Sequence, residues 1–288
     1  MKKGLIAAIS LFFALNVQAA SVWKVSNNSH SLYIGGTIHI LSPQDYPLPP
    51  SYKFAYKESD KLIFETDIAA LTTPEFSQLS MQKLTYQDGR TLQSTLQPET
   101  FAALKSHLES RGVPIANMQK LKPSLVGVTI SMLELQRLGL TSQGVDSYYY
   151  TIAMGDGKLM DWFETPEEQL DFIANMGEGD DDAFVRYSIE DVKKIPSMLE
   201  QLRGDWRAGD VEALNKYHLL EFKESYPDIY HTLLTERNAE WMPDIEEMLT
   251  TPEVEFVLVG TLHLPGETGL LKLLEAKGYT VTQVAEPQ

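Results

Sequence analysis

The sequence predicts an α/β fold in which both ends of the chain build one central sheet and a large helical insertion lies between them. Three observations carry this reading. Short runs of β-branched and aliphatic residues occur near the start and return only after Thr251. Apolar residues at helical spacing dominate the stretch from about residue 90 to 250. A single phrase then ties the ends together: Leu32-Tyr33-Ile34-Gly35-Gly36-Thr37-Ile38-His39 is echoed by Phe256-Val257-Leu258-Val259-Gly260-Thr261-Leu262-His263. Each copy is a buried-strand pattern that breaks at glycine and delivers a histidine three positions later, just past the carboxyl end of the strand, where open α/β sheets place ligands.

In chain order, Val22 to Val25 and Ser31 to Ile34 read as a hairpin turned by Ser26-Asn27-Asn28-Ser29. A short helix over 51–58 follows Pro49-Pro50, and Lys61 to Asp67 reads as a buried strand ending in acid. Helices are predicted over 98–110, 123–138 and 144–154, then a strand over 159–163. Pro166 suits the first turn of a helix running to Asn175. Three further helices are expected over 181–203, 210–224 and 228–249. A strand over 254–259, a helix over 269–277 stopped by Gly278, and a strand over 280–284 complete the chain.

The first 19 residues read as a secretory signal: a basic start at Lys2-Lys3, an apolar stretch from Leu5 to Val17, and a small-residue site favouring cleavage after Ala19. The stretch is too short for a membrane span. The mature chain, 20–288, is expected to be one domain, periplasmic or secreted. It contains no cysteine, which excludes thiolate metal sites and cysteine nucleophiles and leaves nitrogen and oxygen ligands for any metal. The formal charge is −16, and −18 without Lys2 and Lys3. So acidic a chain repels phosphate backbones and anionic lipid, so nucleic acid and anionic membranes are poor partners. The acidic run at Glu178 to Asp182 reads as solvated surface.

A lone histidine after a strand is more often structural than a ligand; a matched pair with the same Gly-Thr step (Gly36-Thr37 and Gly260-Thr261) points instead to one shared site. The other four histidines have no such twin. Glu65, Asp67 and Glu164 also follow strand patterns. If the strands are neighbours, His39, His263, Glu65 and Glu164 converge at one sheet edge. Two imidazoles with a carboxylate suit a divalent ion such as Mn²⁺, Co²⁺ or Zn²⁺, and without a metal the same set suits general acid–base chemistry. Arg237, beside Asn238 on a predicted helix, reads from composition alone as an ordinary charge on a solvent-exposed face; pointing at the sheet edge it would instead pair with Glu65 or Glu164, or hold a substrate carboxylate or oxyanion.

Taken in order and spacing, these pieces resemble the TraB/PrgY/GumN family, whose extracellular animal relatives are the Tiki proteases. The resemblance spans Ser21 to Val284. It rests on Gly36-Thr37-Ile38-His39, Phe64-Glu65, Gly144-Val145-Asp146, Phe163-Glu164-Thr165 with Gln169-Leu170, Glu236-Arg237-Asn238, and Gly260-Thr261-Leu262-His263 followed by Gly269-Leu270-Leu271. It implies a fold like that of the erythromycin-esterase and haem-binding ChaN-like group. From the Tiki branch it implies a metal-dependent peptidase, with His39, His263 and Glu65 at the positions of its two histidines and acid. From bacterial members it implies less: some are linked to shutting down peptide pheromones, others to polysaccharide gene clusters. The expectation is thus an exported, metal-dependent, peptidase-like hydrolase. Its rivals are a metal-free esterase-like hydrolase and a non-enzymatic binder of a peptide signal, haem or metal. The sharpest expectation is geometric: His39 and His263 side by side, Glu65 in the same cleft, and Glu164 and Arg237 behind it or as its floor.

Overall fold

The computed structural model describes residues 19–141 and 143–285; nearly all of the expected signal segment lies outside the described residues. The elements run β1 (Ala19–Ser26), β2 (Ser31–Thr37), α1 (Pro50–Glu58), β3 (Lys61–Thr66), α2 (Pro74–Leu84), α3 (Leu92–Thr95), α4 (Pro98–Glu109), α5 (Pro123–Arg137), α6 (Val145–Asp156), β4 (Leu159–Glu164), α7 (Pro166–Asn175), α8 (Asp181–Val192) and α9 (Ile195–Ala208). Then come α10 (Val211–Leu214), a π-helical segment Asn215–Leu219, α11 (Leu220–Ser225), α12 (Pro227–Tyr230), a second π segment His231–Glu236, α13 (Arg237–Met248), β5 (Glu255–Gly260), α14 (Leu270–Ala276) and β6 (Thr280–Ala285).

The six strands form one mixed sheet in the order β4-β3-β5-β2-β1-β6. β4, β3, β5 and β2 are mutually parallel, and β1 is antiparallel to both β2 and β6. Both termini therefore share the sheet. The carboxyl ends of four parallel strands also lie along one edge, with Thr37 opposite Gly260 and Thr66 opposite Glu164. The alternation of side chains across the pleat splits the core in two. On one face Tyr33, Leu62, Phe64, Phe256 and Leu258 pack against Tyr52, Tyr149 and Trp206 from α1, α6 and α9. On the other, Leu32, Ile34, Ile63, Val257 and Val259 pack against Trp241, Ile245, Leu270 and Leu274 from α13 and α14. A separate helical core, including Leu104, Val126, Ile130 and Val185, joins α4, α5 and α8.

Within residues 90–250, β4 joins the sheet and α6, α9 and α13 pack on its faces, while the α4–α5–α8 cluster and a smaller one around Leu219, Tyr230 and Leu234 form apolar cores of their own. Other elements differ from their sequence reading for identifiable reasons. The helix expected over 181–203 breaks between α8 and α9 because Pro196 has no N–H to give the preceding turn and its ring clashes with it. The helix α2, capped by Thr73, buries only Leu84, so it left little apolar periodicity to read. Two helices read as continuous each contain a π segment, which inserts a residue and turns everything downstream by about 100°. Among the described residues no helix is long and apolar enough to cross a membrane.

Candidate functional site

Both Gly-Thr-x-His turns leave adjacent parallel strands at the same sheet edge. The first glycine is needed for the second turn to pack: a Cβ on Gly36 would fall 2.7 Å from Thr261 Oγ1 and 2.9 Å from Leu264 Cδ1. Gly260 faces the site itself. A Cβ there would stand 3.2 Å from Glu65 Oε1, 3.5 Å from His263 Cδ2 and 3.7 Å from His39 Nε2. Glycine thus leaves open the one small space on which the two imidazoles and the carboxylate border. Glu65, delivered by β3, is anchored there because Gly260 N–H donates to its Oε1 at 2.6 Å.

Arg237 closes the back of this space. Its Nε donates to Glu164 Oε1 at 2.6 Å and its Nη2 to Glu164 Oε2 at 2.8 Å, a two-pronged pair. Nη2 also donates to Glu65 Oε2 at 2.7 Å, and Nη1 donates to the Leu233 carbonyl and approaches His263 Nε2, both at 3.2 Å. Glu164 receives two further bonds, from Trp241 Nε1 at 2.9 Å and Gln169 Nε2 at 3.1 Å. Trp241 also lies against the His263 ring, with centroids 4.5 Å apart, and under the guanidinium at 4.8 Å.

The protonation of His263 follows from its neighbour. Asn238 Nδ2 donates to the carbonyls of His263 and Thr268, at 3.2 and 2.8 Å, which turns its Oδ1 toward His263 Nδ1 at 2.7 Å. Nδ1 must then carry the proton, and Nε2 presents a lone pair. Burial lowers the His263 pKa to about 3; Glu65 pulls it upward and Arg237 and His39 push it further down, so the ring is neutral.

His39 lies across the opening, its side chain 61% exposed. Its Nδ1 faces Asp146 Oδ1 at 3.2 Å. That carboxylate raises the His39 pKa to about 9, mainly through its charge. Asp146 is held in place by the start of α6: Val145 N–H donates to the Ile38 carbonyl at 3.1 Å, and a Cβ on Gly144 would strike the His39 and Ile38 backbone at 2.3 Å. Burial pushes Glu65 up, but His263, Arg237, His39 and the Gly260 N–H outweigh it and hold the carboxyl near 2. Glu164 goes the other way, raised by burial against the pull of Arg237.

The five polar residues singled out from sequence, His39, Glu65, Glu164, Arg237 and His263, thus meet at one sheet edge, with Asn238 behind His263. Thr37 and Thr261 are buried in the turns, and neither Oγ1 has a hydrogen-bond partner. Asp67 turns away to bond the Ala69 and Ala70 backbone. Asp146, Gln169 and Trp241 were not assigned roles from sequence. An acid opening a helix reads as a cap, and only the fold shows that α6 begins against His39. No three His, Cys, Asp or Glu side chains among the described residues stand close enough together to hold an ion as placed. The guanidinium on His263 Nε2 occupies one coordination direction.

The site opens into a cleft of about 270 Å³ lined by His39, Glu65, Asp146, Gln169, Phe64 and Leu71. Comparison with known proteins places these features in a wider group. The chain is 24% identical over 257 residues to uncharacterized protein YbaP of Shigella flexneri and 23% identical over 257 residues to that of Escherichia coli strain K12. Each match covers 86% of this chain and 88% of the relative. No solved structure matches significantly. The TraB/PrgY/gumN family model matches residues 21–283, a span that takes in both Gly-Thr-x-His turns and every residue of the site, and the chain belongs to that family.

Proposed function

We propose that this protein is an exported, metal-dependent hydrolase acting on peptides, with a fold related to the erythromycin-esterase, ChaN and Tiki group. The observation that carries the reading is that each imidazole has a side-chain oxygen at its Nδ1. Asp146 faces Nδ1 of His39 and Asn238 accepts from Nδ1 of His263; His39 Nε2 borders the space beside Gly260, and His263 Nε2 stands 3.9 Å from Glu65 Oε1. A side-chain oxygen on the far nitrogen is what orients an imidazole for ligation. His39, His263 and Glu65 would hold Mn²⁺, Co²⁺ or Zn²⁺, and a bound ion would supply an activated water and a polarised carbonyl. The open face of Gly260 and the anionic Glu65 suit such a cation. Two local changes go with ligation: His39 gives up its proton, and Nη1 of Arg237 yields the His263 lone pair. Arg237 stays tethered through Glu164 and is placed to steady a substrate oxyanion.

The His39–Asp146 pair also favours a second reading. An exposed imidazole facing a carboxylate could run metal-free acid–base hydrolysis in the same cleft. One experiment separates the two. The purified mature chain is stripped with chelator and assayed on a peptide library, then re-assayed with each ion, alongside His39→Ala and His263→Ala. The metal reading expects activity only after add-back and in neither variant. Full activity in chelator supports the metal-free reading, and no activity under any condition removes both.

A further inference from the structure

Away from the sheet edge, the helical region holds an extended apolar groove that the chemistry above does not use. One part, about 410 Å³, is lined by Val128, Met132, Phe184, Met198 and Phe222. A second, about 510 Å³, lies beyond it, and the two share Met176, Phe184, Ile229 and Leu233. The first π segment supplies Tyr217 to the wall, 49% exposed, and the second supplies Leu233. π segments recur at functional sites. The rim has one sign of charge: Asp191 and Glu221 on the first part, Glu178, Asp180 and Asp228 on the second, with no lysine or arginine lining either. Among the described residues, Glu221 alone of these acids pairs with a lysine, Lys194, which stands outside the lining. Three contacts join the groove to the site: Leu262 precedes His263, the Leu233 carbonyl accepts from Arg237, and Phe172 lies under the Arg237 guanidinium at 5.3 Å. Phe172 on the groove and Gln169 on the catalytic cleft are one turn apart on α7, about 5 Å along its axis.

We propose that this groove binds the substrate, and that the substrate is a cationic, amphipathic peptide whose apolar face seats among the methionines and phenylalanines while its lysines or arginines meet the acidic rim. The proposal rests on the peptidase reading for its link to the cleft. Unbranched methionines adapt to varied apolar side chains, an amphipathic helix laid in a groove is an established mode of peptide recognition, and opposite charge across the contact selects the sign of the partner.

Binding is measured by fluorescence anisotropy on the full mature chain with three dye-labelled peptides of equal length. One is an amphipathic Leu/Lys sequence, one its Leu/Glu counterpart, and one a Ser/Lys sequence of the same positive charge. The Leu/Lys peptide is expected to bind at least ten-fold tighter than either of the others. Glu178→Lys with Asp228→Lys should weaken it about ten-fold, whereas the same charge change at exposed, remote Glu58 and Glu275 should cost less than three-fold. Ile229→Asp, with its fold checked by circular dichroism, should also lose binding. Equal binding of the Leu/Lys and Leu/Glu peptides, or equal effects of the two double variants, overturns the proposal. Binding as expected but without cleavage under any metal leaves the groove standing and removes the peptidase reading. Cleavage of neutral peptides with a KM indifferent to the rim variants removes the groove and leaves the peptidase.

Discussion

The two Gly-Thr-x-His turns share a sequence and a sheet edge but not an environment. His39 is open to solvent, faces a carboxylate and is held in its charged form; His263 is buried, faces an amide and is held neutral. The difference originates in what covers each turn. α6 brings only its first residues to His39, whereas α13 lays Arg237, Asn238 and Trp241 over His263. A repeated motif therefore fixes where an imidazole is aimed, and the elements packed over it decide its charge. One half of the site is built into the core, and the other is left free to meet what enters the cleft.

The largest effect should come from the built-in half. Arg237→Met strands Glu65 and Glu164 without their shared cation, and breaking a buried pair costs about 3–5 kcal/mol. Urea unfolding measures this, and adding Glu164→Gln should recover part of it. A cost below about 1 kcal/mol would mean that the ionic cluster does not tie α13 to the sheet edge.

The histidines themselves should come next in size. His263→Ala should cost about 2–3 kcal/mol through its lost packing on Trp241 and the unpaired Asn238, while His39→Ala should stay within about 0.5 kcal/mol. Both should nevertheless abolish turnover. Equal stability losses would break the distinction between the two turns. A smaller effect is expected at their partners: Asn238→Ala and Asp146→Asn should each lower metal affinity by about 10- to 100-fold, read by calorimetric titration.

The smallest effect is a pH dependence confined to the open half. In metal-free protein the His39 ring should titrate near 9 by NMR and move toward 6.5 in Asp146→Asn. Because the folded pKa is raised, the Asp146–His39 contribution to stability is fully present below pH 6.5 and is lost as pH rises through 9. Its size is small because the pair is solvent-screened. The slope of stability with pH across that window should flatten in Asp146→Asn. His263, with its pKa lowered to about 3, should show no titration there.

Much of the sheet was legible because its signals are local. Strand runs that break at glycine or end in acid, such as 254–259 and 61–67, carry their own boundaries, and the repeat marked which strands to compare. Glu65 and Glu164 meet the histidines because acids at strand ends share their sheet edge, whereas Arg237 reaches them from a helix. What stayed hidden depends on packing between distant segments. Nothing near Asp146 in sequence points to His39, which reaches it only because Gly144 lets α6 start against the Ile38–His39 backbone. β4 reads as a strand, but its place at the sheet edge beside β3 is fixed by long-range pairing. The two π segments have no periodicity of their own, yet the second sets the direction in which Arg237 leaves its helix.

In the proposed site His39 and His263, for all their difference, would serve one divalent ion together with Glu65. Crystals of the mature chain grown with Mn²⁺ and measured at the metal's absorption edge test it most directly. A single anomalous peak is expected beside Gly260, within about 2.0–2.3 Å of both Nε2 atoms and a Glu65 oxygen, with Arg237 withdrawn from His263. A peak elsewhere, or no peak with Arg237 still seated on His263 at saturating Mn²⁺, would contradict it.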